Sequence, residues 1–293
     1  MDQVGLLRLL LQYIKMSEIF LKAFAKVNVG LQIRSKRHDS FHNIHTVFQQ
    51  INLFDTLILS KQKNKIDFSS NVSWLKNDNS NLCIKAFNKM KSIYDLHGIK
   101  ITLIKKIPTY AGLGGGSSNA AAILKGVNIL YNLKLSNKKL ELIGSQLGSD
   151  VPFFINGGTQ LGEGVGDRLI KIKKKIIGKF LLVMPKLKIS TVWAYKKAKI
   201  FLDTSKEFIN LNQCLKKERV PFEFFDNDFE KIIIPAYPEI GKIIDLLRNN
   251  NAKYAGLSGS GSTVFGIYDD EAKAILVESI ISKRHKTLIV DPV

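Results

Sequence analysis

The chain has 293 residues, 45% hydrophobic and 24% charged, with 44 Lys and Arg against 25 Asp and Glu and a formal net charge of +19. That length allows two domains with cores of their own, and the composition is that of a globular protein. Two cysteines, Cys83 and Cys214, exclude a disulfide-knit scaffold and fit a reduced, cytoplasmic setting. No apolar run approaches the ~18 residues of a membrane span, so no membrane partner is expected. The excess charge is lysine spread along the chain, as in "IKIKKKIIGK" and "NLKLSNKKL", without an arginine-rich arm. Nucleic-acid binding is therefore not the expected function, although a basic surface attracts polyanionic small molecules.

The opening "MDQVGLLRLLLQYIKM" carries a leucine run interrupted by Arg8, with no basic lead and no small-residue cleavage site. It reads as an appendage over residues 1–15 and not as a signal peptide. Residues 20–33 and 47–59 alternate as strands, and 65–74 and 99–105 add two shorter ones. Leu82, Ala86, Met90 and Ile93 have helical spacing, and Gly98 is placed to end that helix. Ala120, Ile123, Leu124, Val127 and Tyr131 define a second helix, and Ser136 reads as the N-cap of a third over 137–147. Pro152 biases Val151 toward an extended backbone. Beyond it, "GEGVGD" at 162–167 reads as an inter-domain turn. A buried strand at "GKFLLVMP", helices at 191–202 and 238–250, a strand at "TVFGIY", a helix and a last strand complete a mixed α+β pattern in two parts.

The stretch "PTYAGLGGGSSNAAA" places Gly112, Gly114, Gly115 and Gly116 directly before an alanine-rich helix. Glycine costs conformational entropy wherever it is ordered, so four of them need a local reason. No lysine precedes the serines, which excludes a Walker A loop. Ser117 stands where a dinucleotide fingerprint needs its third glycine, and no acidic residue follows at the required distance. What remains is a turn, or a loop whose bare amides close on phosphate at a helix N-terminus, with Ser117 and Ser118 adding hydroxyls. Two further residues stand out. Lys26 lies in the apolar strand "AFAKVNVG" with Asn28 two positions on, on the same face; it is either an edge lysine in solvent or a buried one with a partner. Asp150 lies where a helix gives way to "VPFF", the place of a cap or of a general base.

Taken in order, "AKVN", "PTYAGLGGGSSNAAA", "LGSDVPFF" and "LSGSGSTVFG" resemble the GHMP family of small-molecule kinases over about residues 20–270. The likeness is greatest to the branch that phosphorylates 4-diphosphocytidyl-2-C-methyl-D-erythritol, in the non-mevalonate route to isoprenoids. The resemblance implies an α+β, two-domain GHMP kinase fold. Residues 16–162 would form an N-terminal ATP-binding domain with a left-handed βαβ unit. Residues 163–293 would form a ferredoxin-like α/β sandwich. It implies ATP and Mg²⁺, a cytoplasmic monomer or weak homodimer, and a small-molecule substrate.

The resemblance also assigns residues. Pro108, Thr109, Tyr110 and Ala111 would lead into the nucleotide loop, Gly112, Leu113, Gly114, Gly115 and Gly116 would form it, and Ser117 and Ser118 would open the helix. Lys26 and Asp150 would be catalytic, the Asp taking or orienting the proton of the erythritol 2-hydroxyl and the Lys keeping that carboxylate ionised. Asn28 would touch the methylerythritol end. Relatives read "DGYH" where this chain has "DSFH". Phe41 keeps the tyrosine's stacking face for the cytosine and loses only its hydroxyl, and His42 would hydrogen-bond the base. Ser40 for glycine and Phe24 for proline are departures that alter local loop geometry. The second aromatic against the cytosine would be Tyr195, with Trp193 as its rival. The loop 256–266 would lie beneath the nucleotide loop. His38, His42 and His45 have spacings that suit a helical metal site, but their flanks read as loop and strand with no cysteine near, so no metal-ligand role is expected of them.

Overall fold

A computed structural model describes residues 18–39, 41–173, 176–201, 210–217 and 220–293. The appendage expected at 1–15 lies outside the described residues, as does Ser40. The chain forms two compact units that alternate along the sequence. One contains the described residues up to Phe24, Phe54–Ile107 and Gly115–Asn156; the other contains Ala25–Leu53, Pro108–Gly114 and Gly157–Val293. Two long strands, β1 (Glu18–Lys36) and β2 (His42–Gln62), contribute a half to each.

In the first unit, the later half of β2 alternates buried Leu57 and Leu59 with half-buried neighbours, as a strand with one covered face requires. It pairs antiparallel with β4 (Gly98–Ile104), from Thr56↔Ile104 to Gln62↔Gly98. Strand β3 (Ile66–Ser70) runs parallel to β4, with α1 (Leu82–Lys91) as the crossover between them. The glycine loop follows this βαβ unit, leaving from the end of β4. Asn81 caps α1 by accepting from the Cys83 amide, and the Cys83 side chain is buried. Helix α1 stops at Lys91, short of Gly98. Gly98 instead opens β4, where a Cβ would stand 2.2 Å from the Lys65 carbonyl oxygen, so its glycine serves strand approach and not a helix end.

Helix α2 (Gly115–Leu130) buries Ala120, Ile123, Leu124 and Val127, and Gly126 lets it close on Leu21 and Leu59 of the two long strands. Ser136 caps α3 (Asn137–Ser145) as its position predicts. Val151 is not extended but is the first residue of α4 (Val151–Asn156). Proline is tolerated in a first helical turn, where its missing N–H has no acceptor to lose, and that outweighs its bias on the preceding residue.

In the second unit, β5 (Thr159–Glu163) pairs with the first half of β2, from Thr46↔Gly162 to Gln49↔Thr159. Strand β6 (Arg168–Lys171) returns along β5. Residues 164–167 are thus the turn of a hairpin inside this unit, which corrects their reading as an inter-domain turn. A four-stranded antiparallel sheet has the order β10-β7-β9-β8, formed by β7 (Lys179–Met184), β8 (Tyr254–Leu257), β9 (Val264–Tyr268) and β10 (Lys286–Val290). This fourth–first–third–second arrangement is the split βαβ of a ferredoxin-like sandwich. Its helices are α5 (Thr191–Phe201), α6 (Leu211–Lys216), α7 (Glu230–Ala236), α8 (Pro238–Asn249) and α9 (Glu271–Ile281). Leu181, Val183, Val264 and Tyr268 of the sheet pack with Ile240, Ile244, Leu247 and Val277 of the helices to form its core.

Candidate active site

Lys26 is 4% exposed and Asn28 1%, so the lysine is buried and is not an edge residue in solvent. Lys26 Nζ donates to Asn28 Oδ1 at 2.5 Å and lies 5.4 Å from the Phe48 ring centroid. Asn28 Nδ2 donates to Thr46 Oγ1 at 2.9 Å, and that hydroxyl donates to the Gly30 carbonyl at 2.6 Å. The chain of donors fixes the asparagine amide with its oxygen toward the ammonium. Lys26 is thereby held in place as a point charge.

The first part of the glycine loop is held by its carbonyl groups. The Thr263 amide donates to the Ala111 carbonyl at 3.3 Å and the Lys26 amide to the Leu113 carbonyl at 3.0 Å. Ser258 Oγ donates to the Gly112 carbonyl at 2.9 Å. In a trans peptide the carbonyl of one residue and the N–H of the next point in opposite directions. Each carbonyl bound to its support therefore turns the next amide, of Gly112, Leu113 or Gly114, away from that support, which leaves these amides available to an anion. Gly112 has φ +72°, and a Cβ there would lie 2.0 Å from the Ser258 carbonyl oxygen. A Cβ on Gly259 would come within 3.3 Å of Asn28 Oδ1 and 3.7 Å of Lys26 Nζ. The second glycine loop thus supports the first, and Asn227 braces it in turn by donating to the Leu257 and Gly259 carbonyls at 2.7 and 2.8 Å.

The loop continues into the first unit at Gly115, where α2 begins, two residues before the expected start. Ser118 is 2% exposed and its hydroxyl donates to the Phe24 carbonyl at 2.6 Å, a tie between helix and strand. Ser117 is half-buried, with Oγ 3.9 Å from the place of a Cβ on Gly148. That brings its hydroxyl beside the turn carrying Asp150, which is itself half-buried immediately ahead of α4. The far end of α4 is held to α2 by Lys125 Nζ, which donates to the Phe154 carbonyl at 3.0 Å; burial pushes the pKa of that lysine down.

A cluster that sequence reasoning missed joins the two ends of the loop. Asp55 is fully buried in β2 and accepts from Lys105, Lys106, Ile107 and Asn119. The available signal was a lone carboxylate in the apolar run "INLFDTLIL", the same criterion that singled out Lys26.

In the second unit, His42 is 7% exposed and stacks on Tyr195 with ring centroids 5.3 Å apart at 23°. Tyr195 in turn meets Phe229 edge-on. Trp193 packs edge-on against Tyr237 instead. His42 Nε2 is buried with no hydrogen-bond partner among the described residues, and burial, followed by Lys36, lowers the imidazole pKa. Phe41 next to it is 61% exposed. His45 projects from the opposite strand face, as an offset of three residues dictates. Its Nδ1 meets Arg34 Nη2 at 3.0 Å, and burial, then Arg34, carries its pKa down to about 4. The histidines therefore do not converge, and among the described residues no three His, Cys, Asp or Glu side chains assemble as metal ligands.

The two-domain α+β scaffold and the amide-lined loop ahead of a helix define a small-molecule kinase of the GHMP type. The chain belongs to the GHMP kinase family: the profile of the GHMP kinase N-terminal domain matches residues 81–158, and that of the C-terminal domain matches 206–287. It is 38% identical over 273 residues to the 4-diphosphocytidyl-2-C-methyl-D-erythritol kinase of Chlorobium chlorochromatii, covering 92% of this chain and 94% of that protein. It is 36% identical over 265 residues to the enzyme of the same name from Acetivibrio thermocellus, covering 89% and 94%. A crystal structure of a 4-(cytidine 5'-diphospho)-2C-methyl-D-erythritol kinase superposes with TM-score 0.77 at 26% identity, over 94% of this chain and 99% of the other. A homoserine kinase from Cytophaga hutchinsonii shares the fold, with TM-score 0.68 at 18% identity over 94% of each chain.

Proposed function

We propose that this chain transfers the γ-phosphoryl group of ATP to the 2-hydroxyl of 4-diphosphocytidyl-2-C-methyl-D-erythritol, releasing ADP and the 2-phosphate in isoprenoid synthesis. The observation that carries the reading is the loop 111–113, anchored by its carbonyls beside the buried Lys26–Asn28 pair. The names of relatives at 36–38% identity supply the substrate.

Phosphoryl transfer asks the protein mainly for position and charge. Gly112, Leu113, Gly114 and the N-terminus of α2 would receive the phosphates, with Pro108 to Ala111 entering the loop and Gly115 to Ser118 leaving it. In the family's pattern Lys26 offsets charge on the group in transit, while Asp150 accepts the proton of the 2-hydroxyl. Asn28, already oriented by Thr46, would contact the sugar alcohol. Phe41 and Tyr195 would bracket the cytosine, and the unpartnered Nε2 of His42 would bond its edge.

The residues present fit the magnesium ion that accompanies ATP, for the Ser117 hydroxyl and the turn of Asp150 adjoin, both half-buried. A hydroxyl on one segment and a carboxylate residue on the adjoining turn would supply the hard oxygen donors that such an ion takes. When bound, the ion supplies neutralising charge to the phosphate oxygens.

The test is coupled ADP release with the diphosphocytidyl substrate, mevalonate and homoserine in parallel. Release with the first alone is expected; equal turnover of mevalonate or homoserine, or no release with any, overturns the assignment. In the same assay Asp150→Asn is expected to lower kcat by about 10²–10⁴-fold with the melting temperature unchanged. A nearly unchanged rate would remove its role.

A further inference from the structure

Asp55 is 0% exposed, and all of its acceptor capacity is in use. Oδ1 accepts from the Lys106 amide at 2.7 Å and the Ile107 amide at 2.8 Å. Oδ2 accepts from Lys105 Nζ at 2.5 Å and Asn119 Nδ2 at 2.8 Å. Four donors match the roughly four lone-pair sites of an ionised carboxylate. The two amides are the last before Pro108, and Asn119 lies in the first turns of α2, so one side chain grips both ends of the glycine stretch. Gly115 lets those ends close: a Cβ there would meet Ile107 Cγ2 at 2.9 Å and Lys105 Nζ at 3.1 Å.

We propose that Asp55 is a positioning residue for nucleotide binding, its carboxylate fixing the span of the loop by tying Lys106 and Ile107 to Asn119. The inference rests on the reading of that loop as the phosphate site. A glycine-rich loop can visit many conformers, and its apparent affinity falls with the fraction that is competent to bind. Clamping its ends raises that fraction before any ligand arrives. Lys105, 6% exposed and 3.4 Å from Asn119 Oδ1, balances the buried charge.

The experiment is equilibrium binding of ATP alone and of the diphosphocytidyl substrate alone, with no turnover needed. Asp55→Asn leaves the Lys105 ammonium without its counter-charge, and the ATP Kd is expected to rise about tenfold or more while the Kd of the second ligand stays within about twofold. The exchange Asp55→Asn with Asn119→Asp returns a carboxylate to Lys105 and is expected to recover most of the ATP affinity, a non-additivity that independent sites do not show. Should Asp55→Asn alone fail to fold, Asn119→Ala cuts the tie to α2 and leaves the Asp55–Lys105 pair in place; the same selective weakening, smaller in size, is expected. Unchanged ATP affinity in the folded variants, or equal weakening of both ligands, overturns the proposal. Wild-type protein that binds no ATP is a different result and defeats the reading of the loop itself.

Discussion

The glycine loop and the aromatic group around His42, the two proposed ligand sites, are built in opposite ways. The loop is made of backbone: each carbonyl of 111–113 is held by a donor, and side chains such as Ser258 serve to hold them. The group at His42 is made of side chains, with Phe41 exposed, His42 stacked on Tyr195, and Tyr195 against Phe229. A backbone site leaves no freedom in residue type, because Gly112 has no room for a single carbon. A side-chain site needs only a face of the right kind, so a phenylalanine such as Phe41 can serve as well as a tyrosine.

That contrast sets the order of effects. Gly112→Ala drives a carbon into the Ser258 carbonyl and requires φ near +72° of a residue that resists it. ATP turnover should fall by about 10²-fold or more, on the scale that a ~1 Å misplacement costs. Retained ATP affinity in this variant would mean that the loop is a turn and nothing else. Phe41→Ala removes one stacking face from an exposed ring, so the KM for the diphosphocytidyl substrate should rise about tenfold, on the order of 1.4 kcal/mol. ATP affinity and melting temperature should not move, while Phe41→Tyr should retain wild-type KM. Loss of ATP binding in Phe41→Ala would dissolve the distinction between the two regions.

The smallest effect concerns what underlies the loop. Glu230 accepts from the Leu257 amide at 2.8 Å, one residue before Ser258, with Arg248 at 3.8 Å and the Tyr254 hydroxyl beside it. Burial lifts its carboxyl from 4.5 to about 7, with Asp226 adding to the rise and Leu257 and Arg248 opposing it. A group with its folded pKa above its unfolded one holds extra protons when folded, so its contribution to stability is present below about pH 4.5 and is lost as pH rises through 7. Glu230→Gln removes that loss. Its melting temperature should decline less between pH 5 and pH 8 than that of the wild type, by a few degrees. Thermal melts at both values decide it, and parallel curves would refute the buried-acid account. His45, with its pKa carried from 6.5 down to about 4, acts with the opposite sign by favouring the fold as pH rises from about 4 to 6.5, and it is common to both proteins.

Much of this was legible in the sequence, for particular reasons. Strands β1 and β2 announce themselves by alternation, and Ser136 by its place before a helix. Glycines at 112, 114, 115 and 116 mark the segment because their cost needs a local reason, although the last two belong to the first turn of α2. Lys26 stood out as a charge inside an apolar strand, and Asn28 on the same face proved to be one partner. Asp55 met the same criterion, but its donors lie some fifty and sixty-four positions away, beyond the reach of any local pattern. The grip of Ser258 on Gly112 spans 146 residues and left no trace in periodicity either. Gly98 and Pro152 misled because each residue type has two uses, glycine at helix ends and at close strand contacts, proline as a breaker and as a first-turn residue.

The two free thiols carry a practical consequence. Cys83 belongs to the first unit and Cys214, on α6, to the second, and both side chains are buried. Burial raises the Cys83 pKa to about 12, so the folded protein offers an alkylating reagent almost no thiolate at that position. Modification must await opening of the surrounding structure, and the two labels, separated by peptide mass, clock the opening of each half of the molecule from one untreated sample.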